Sequence, residues 1–336
     1  MRKAILAIAI LGMFSTAQAA DVKFGGNFGY RNDNFEVGAS EENRDRFRLQ
    51  LQGAADVNDA TKVVFGLTTG NTKSTWTDMS GENSLKDVKL NLAYVEYAAA
   101  PFAKVTLGKM HQPWKSEGLM FDPDIKPEGL AVALKHGSGV YGNVFKLKLS
   151  EDAVAADSKL DGLQVGFVTK VSDVTVDVNA ALLEQSQRTD VVCILPVPAV
   201  PCRSVPLETD LQVLSLSLAK EVAGLPVKAF VQQVKNDKAS KLDTATAYGV
   251  TFGNAKNPGD WEVSLVNQKS DQNALSTVWT DSDFAGGVVA HDGLALRGAY
   301  ALAKGWKVRG AYYDVEIGQV RPVDSKRLML DLVYSF

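Results

Sequence analysis

The chain has 336 residues, 22% charged and 46% hydrophobic, with 36 basic against 39 acidic side chains and a net charge of −3. That balance excludes a strongly basic nucleic-acid binder. Two cysteines and three scattered histidines are too few for a disulfide scaffold or a metal site, so no metal or other cofactor is expected.

The first element, MRKAILAIAILGMFSTAQAA, has Arg2 and Lys3, an apolar run from Ala4 to Phe14 and an Ala17-Gln18-Ala19 cleavage signature. It reads as a secretory signal peptide over residues 1–19, leaving one domain over 20–336. The apolar run is too short to cross a bilayer as a helix, which needs ~20 residues. Without Arg2 and Lys3, 34 basic residues face 39 acidic ones, a charge of −5. Past the signal the most apolar window is VVCILPVPAVPC at 191–202, and Pro196, Pro198 and Pro201 forbid a regular helix there. Mean hydropathy is −0.06, too polar for a helical membrane protein. An exported chain of this kind is either a soluble β-protein or an outer-membrane barrel, whose membrane signal is diluted by alternation.

Alternation of apolar and polar residues then recurs along the chain, which is the signature of half-buried strands. Val22 to Arg31 leads into a polar loop at 32–42. Asn43 to Ala54 turns through DVNDA into Ala60 to Thr69, and a polar stretch from Gly70 to Lys86 follows. Asp87 to Tyr97 turns through AAAPF into Ala103 to Met110, and a long third loop runs from His111 to Gly129. Leu130 to His136 turns through GSG into Val140 to Leu149. Gly162 to Thr169 turns through KVSD into Val174 to Leu182, and a loop with Cys193 and Cys202 follows. An oxidising compartment favours one disulfide between these two. Thr209 to Leu218 pairs with Val227 to Val234, Thr244 to Gly253 with Asp260 to Gln268, and Asp292 to Tyr300 with Trp306 to Tyr313. LMLDLVYSF closes the chain.

That makes sixteen segments, with connections alternately short and long and no helical period. The expectation is all-β: a sixteen-stranded antiparallel transmembrane β-barrel with long extracellular loops and short periplasmic turns. A sandwich would not sort its loops by length, and a solenoid would show a fixed repeat. Tyr94, Tyr141, Trp261, Tyr300, Trp306, Tyr334 and Phe336 are expected outward at the short-turn side, an aromatic girdle at headgroup level.

With the signal peptide, the sixteen segments, VTLGKM at 105–110 and the terminal LDLVYSF, the chain resembles Gram-negative outer-membrane porins of the sixteen-stranded general and "putative porin" families. The PEFG motif of many general porins is missing; only Pro127-Glu128-Gly129 approximates it. The resemblance implies an outer-membrane location among lipid, a third loop folded inward to narrow the pore, a homotrimer, and Phe336 as the signal read by the barrel-assembly machinery.

Parity assigns the lumen. Arg46 and Arg48 on strand 2, Arg297 on strand 14, Lys307 and Arg309 on strand 15 and Arg327 on strand 16 fall opposite the apolar faces. Closure of strand 16 on strand 1 makes these strands neighbours, so the six residues form one basic wall. Lys146 and Lys148 are also expected inward. The third loop carries Glu117, Asp122, Asp124 and Glu128 to oppose the wall, giving a transverse field across a low-dielectric constriction. Trp114 in that loop is either a stacking surface for solute or an anchor.

The function expected is passive diffusion of small hydrophilic solutes and ions, with a mild anion preference. The alternatives are a surface receptor, adhesin or structural barrel using the apolar cysteine loop, and, remotely, a barrel enzyme. Only His111, His136 and His291 could act as an imidazole base, and none stands beside a serine or acid at the spacing of a nucleophilic pair.

Overall fold

The computed structural model describes residues 21–70, 74–79, 85–118, 121–150, 158–186, 189–192, 203–206, 208–277, 280–319 and 321–336. The signal-peptide residues 1–19, Cys193 and Cys202 lie outside them. Sixteen strands form the wall: β1 (Val22–Val37), β2 (Ser40–Asn58), β3 (Thr61–Thr69), β4 (Val88–Ala100), β5 (Ala103–Lys109), β6 (Glu128–Lys135), β7 (Val140–Ser150), β8 (Ser158–Val171), β9 (Val174–Ser186), β10 (Thr209–Val222), β11 (Leu225–Asn236), β12 (Thr244–Gly253), β13 (Trp261–Ser270), β14 (His291–Ala303), β15 (Trp306–Ile317) and β16 (Val323–Ser335). Each pairs antiparallel with its neighbours. β16 pairs with β1 from Asn27↔Ser335 to Val37↔Ser325, which closes the barrel and leaves no wall strand with an open edge. The last residue is part of the seal: Phe336 and Gly26 exchange two backbone hydrogen bonds of 3.0 Å.

Closure demands alternation, and β16 shows how it is met. Leu328, Leu330 and Leu332 point out, while Ser325, Arg327, Met329, Asp331 and Val333 are buried inside. Trp261, Tyr300, Trp306, Tyr334 and Phe336 stand outward near one rim, Trp261 opposite Tyr300 and Trp306 opposite Tyr334 with ring centroids 4.8 Å apart. Those five form the expected girdle.

Tyr94 and Tyr141 do not. A β-bulge between Leu90 and Leu92, opposite Gly66 and Leu67, inserts one residue into β4 and flips its parity, so Leu90 faces out but Leu92 and Tyr94 face in. On β7 the inner face is the greasier one. Tyr141, Phe145 and Leu147 are buried inside while Val140 and Val144 face out. Lys146 and Lys148 consequently project outward, against expectation, and Lys146 pairs with Asp161 across the β7–β8 rim.

Residues 32–42 also differ from expectation. They are not a loop: β1 runs on to Val37 and returns from Ser40 through a two-residue turn at Gly38-Ala39, where Gly38 holds φ +56°. A left-handed conformation at that position suits glycine. The polar residues that suggest a loop form a ladder above the apolar rows. Asn32 donates to Asn43 Oδ1 (3.2 Å) and Asp45 Oδ1 (3.0 Å), and Tyr30 donates to the same Asp45 oxygen at 2.6 Å.

Two loops fold into the lumen. β5 and β6 are short, ending at Lys109 and starting at Glu128, so loop 3 (110–127) leaves the wall part-way up. Gly108 (φ +124°) and Gly129 (φ +149°) face each other there, and a Cβ at either would stand 2.2 Å from a carbonyl oxygen of the next strand. Met110, Trp114 and Phe121 from loop 3 and Ala274, Leu275 and Val289 from loop 7 (271–290) pack on Phe145, Leu147, Leu183, Leu211, Val213, Val234 and Ala247. Trp114 stacks on Phe145 at 5.2 Å, which is the anchor of its two readings. One side of the barrel is thus filled by an apolar layer, and the polar passage is pushed toward β1, β2 and β14–β16.

Candidate functional site

The strand register writes the basic wall as rows. Arg46, Arg31, Asp331 and Arg309 lie in one row across β2, β1, β16 and β15; Arg48, Gly29, Val333 and Lys307 lie in the next. A third contains Arg44, Asp33, Met329, Ala311 and Arg297. Neighbours within a row are ~4.8 Å apart along the hydrogen-bonding direction, so the side chains share one surface. All six residues expected on the wall are inward on these strands, joined by Arg31, Asp33 and Arg44.

Charge on this surface is largely met by its own carboxylates. Arg31 is 6% exposed and forks onto Asp331, Nε to Oδ1 at 2.7 Å and Nη2 to Oδ2 at 2.9 Å. Arg327 does the same to Asp33 at 2.7 and 2.8 Å. Asp33 also takes Arg44 at 3.0 Å and lies 3.6 Å from Arg46, whose Nε is 2.9 Å from Asp78. Bidentate, desolvated pairs of this kind fix geometry as well as charge.

Loop 7 supplies the opposing acids. Asp283 sits 3.4 Å from both Arg31 and Arg327, Asp281 is 3.8 Å from Arg297, and Arg327 Nη1 donates to the Ser282 carbonyl at 3.0 Å. Loop 3 joins there through Asp122, which accepts from the Ser282 amide at 3.3 Å. Asp124 accepts from the Thr75 amide (3.3 Å) and hydroxyl (2.9 Å) in loop 2 (70–87). The other two acids expected to oppose the wall are engaged elsewhere. Glu117 pairs with Lys228 on β11 at 2.8 Å, because loop 3 crosses the lumen and its Gly118 rests against Ala247 on β12. Glu128 opens β6 and pairs with Lys109 at 2.9 Å.

Packing shifts the loop acids in opposite directions. Burial pushes the Asp281 carboxyl above the usual range, and the charges of Asp283 and Asp122 add to this. Burial raises Asp122 likewise, against the Asp124 amide that it accepts. At Asp283 burial alone would do the same, but Arg31, Arg327 and Arg297 hold that carboxyl below its ordinary value.

Sequence reasoning missed Arg31, Asp33, Asp283 and Trp76. The first two share the parity of Asn27 and Gly29 and would follow from extending β1 past Arg31. Asp283 belongs to the acidic run Asp281-Ser282-Asp283 in a loop that no periodicity places. Trp76 reaches the wall because Thr77–Asp78 pairs with Arg46 and Phe47, prolonging the sheet where β3 has stopped. Below loop 3, two cavities of about 460 and 550 Å³ flank His111, one along β1–β4 and the other along β4–β8.

A family model described as "Putative porin" matches residues 19–171. No curated protein matches the sequence. Among solved structures, OprB of Pseudomonas putida is similar over 94% of both chains at 10% identity, with a TM-score of 0.66. The anion-selective porin from Comamonas acidovorans is 11% identical over 94% of this chain and 100% of its own, TM-score 0.57. The trimer form of in-vitro folded OmpT of Vibrio cholerae is 11% identical over 95% and 100%, also with a TM-score of 0.57. Residues 19–171 thus match a putative-porin model, and the closed sixteen-strand wall with its apolar outer surface has the fold of these outer-membrane porins.

Proposed function

We propose that the protein is a water-filled diffusion channel for small hydrophilic solutes and ions, with a preference for anions set where loops 3 and 7 meet the arginine wall. The observation that carries this is which charges are left over. Asp33, Asp331 and Asp283 are committed to arginines, Asp281 with its raised carboxyl lies 3.8 Å from Arg297, and Asp122 and Asp124 accept from amide and hydroxyl groups of Ser282 and Thr75. Arg48, Lys307 and Arg309 have no carboxylate within ion-pair distance among the described residues. Unneutralised cations at a narrow, low-dielectric passage attract anions and repel cations.

Reversal potential across a planar bilayer in a potassium chloride gradient tests the reading. An anion-selective potential is expected, and neutralising Arg48, Lys307 and Arg309 together to Gln should bring it toward zero. A cation-selective wild-type channel would overturn it. Arg46 and Arg297, already paired, should contribute less to the potential.

The raised loop acids give selectivity a pH dependence. A carboxyl shifted upward is neutral below its pKa and charged above it. Asp281 and Asp122 therefore add negative charge only as the pH climbs past the ordinary carboxylate range. Anion selectivity should decline as the pH rises through about 6, where Asp122 ionises, and about 8, where Asp281 does. In an Asp281→Asn, Asp122→Asn channel the decline should flatten.

Two further features of this reading concern assembly. Phe336 bonds Gly26 through its backbone and leaves its ring 59% exposed at the rim, accessible to the barrel-assembly machinery. The continuous apolar outer surface suits a homotrimer, closed cyclic symmetry being natural for barrels side by side in a membrane. His291 is held between the Val288 carbonyl and Gln268, and the contact of His136 with Ser138 (2.9 Å) is local to a turn.

A further inference from the structure

The three unpaired cations are not equivalent, and Arg48 is the one the fold builds around. Its Nε donates to Asn27 Oδ1 at 3.1 Å and its Nη1 to Thr75 Oγ1 at 3.4 Å. Its guanidinium carbon stands 4.7 Å from the centroid of the Trp76 ring, and that of Arg31 stands 4.2 Å from the same ring. Trp76 is 4% exposed and rests over Gly29, where a Cβ would come within 2.7 Å of Cη2. Loop 2 and strands β1 and β2 thus converge on one side chain.

Every group that touches Arg48 in this way is neutral: an amide oxygen, a hydroxyl and an indole face. The carboxylate that acts on it through space, Asp124, spends its contacts on Thr75. Stacking on an indole holds a guanidinium plane in place without discharging it. Nε–H and one Nη1 proton are occupied, so the other Nη1 proton and the two Nη2 protons remain as a fork of donors, and no acceptor for them occurs among the described residues. Arg309 acts on the same charge from the far side of the Arg31–Asp331 pair.

We infer that Arg48 is an oxyanion subsite of the channel, taking a carboxylate or phosphate group of a permeating solute on its free guanidinium edge, with Trp76 as the positioning residue. This rests on the anion-selective reading but asks for more than charge. A guanidinium fork binds two oxygens at once, whereas an ammonium is a point charge. Arg48→Lys therefore separates the two claims, because it keeps the positive charge and loses the fork.

The experiment is single-channel chloride current across wild type, Arg48→Lys, Trp76→Leu and Trp76→Phe, with inorganic phosphate or acetate added. Wild type should show saturable block. In Arg48→Lys the half-blocking concentration should rise about tenfold, the equivalent of ~1.4 kcal/mol, while the reversal potential in plain chloride stays anion-selective. Trp76→Leu should weaken block similarly, and Trp76→Phe, which keeps an aromatic face, should restore part of it. Phosphate alone blocking would assign the site to phosphate, and acetate alone to carboxylates. Equal block in wild type and Arg48→Lys, or an anion-selective wild type with no saturable block, would overturn the subsite. A cation-selective wild type would instead remove the reading beneath it.

Discussion

Replacing Asp33 with Ala should destabilise the folded barrel by about 3–5 kcal/mol, the cost of stripping the partner from buried charges. Asp33 is 0% exposed and receives the full fork of Arg327, with Arg44 and Arg46 leaning on the same carboxylate. Its removal leaves three guanidiniums crowded on one wall, Arg327 with only Asp283 and Arg46 with only Asp78 still beside it. The lost ion pair is only part of the cost; the rest is mutual repulsion where water screens poorly. Thermal unfolding of the purified protein in detergent reads the effect.

Two controls separate this mechanism from general fragility. Lys307→Gln, which breaks no ion pair, should stay within about 0.5 kcal/mol of wild type. Asp33→Ala made on an Arg327→Gln background should cost less than on wild type, by an interaction energy of about 0.5–3 kcal/mol, because one stranded charge is already gone. Additive losses would mean that Arg327 and Asp33 act independently, contrary to the geometry. Where the Asp33 variant does fold, its anion selectivity should exceed that of wild type, since the wall has then lost one negative charge from among three arginines.

How much of this was legible in the sequence depends on which force set each feature. The sixteen strands follow from alternation and loop length alone, because lipid on one side forces a two-residue period on every strand. The wall could be located by parity on β2 and β14–β16, where the inner face is polar. Parity failed on β7, where Tyr141, Phe145 and Leu147 face in. Apolarity there answers to loops 3 and 7, which cover that inner face, and a strand with two covered faces carries no inside-outside signal. It failed on β4 for a different reason: one bulge residue reverses everything beyond it. The acids of loop 3 were nameable, but their partners were not. Whether Asp122 meets Ser282 or Glu117 meets Lys228 depends on how far a loop crosses the lumen, and loop sequences record no such distance.

Phe284→Ala should enlarge the pore more than any change to the wall itself. Phe284 is 0% exposed and pins loop 7 by edge-on contacts with His291 (5.0 Å) and Tyr313 (5.9 Å), inside a cluster with Ala295, Val315 and Ile317. Truncating a buried phenylalanine costs about 3–5 kcal/mol. The barrel itself need not bear that loss. Its wall is a closed hydrogen-bonded ladder independent of loop 7, so the cheaper response is local detachment of the loop. Detachment would carry Asp281 and Asp283 away from Arg297, Arg31 and Arg327, and would cut the Asp122–Ser282 link that ties loop 3 to loop 7. Single-channel conductance should therefore rise and anion selectivity should strengthen together, with little change in the unfolding temperature of the wall. The pairing of these signs is the test. A wider pore alone weakens selectivity, because more of the current passes beyond reach of the wall charges. Stronger selectivity in a wider pore requires that the departing loop took negative charge with it. If conductance rose while selectivity fell, loop 7 would be a steric plug, and the assignment of Asp281 and Asp283 as counter-charges would be lost.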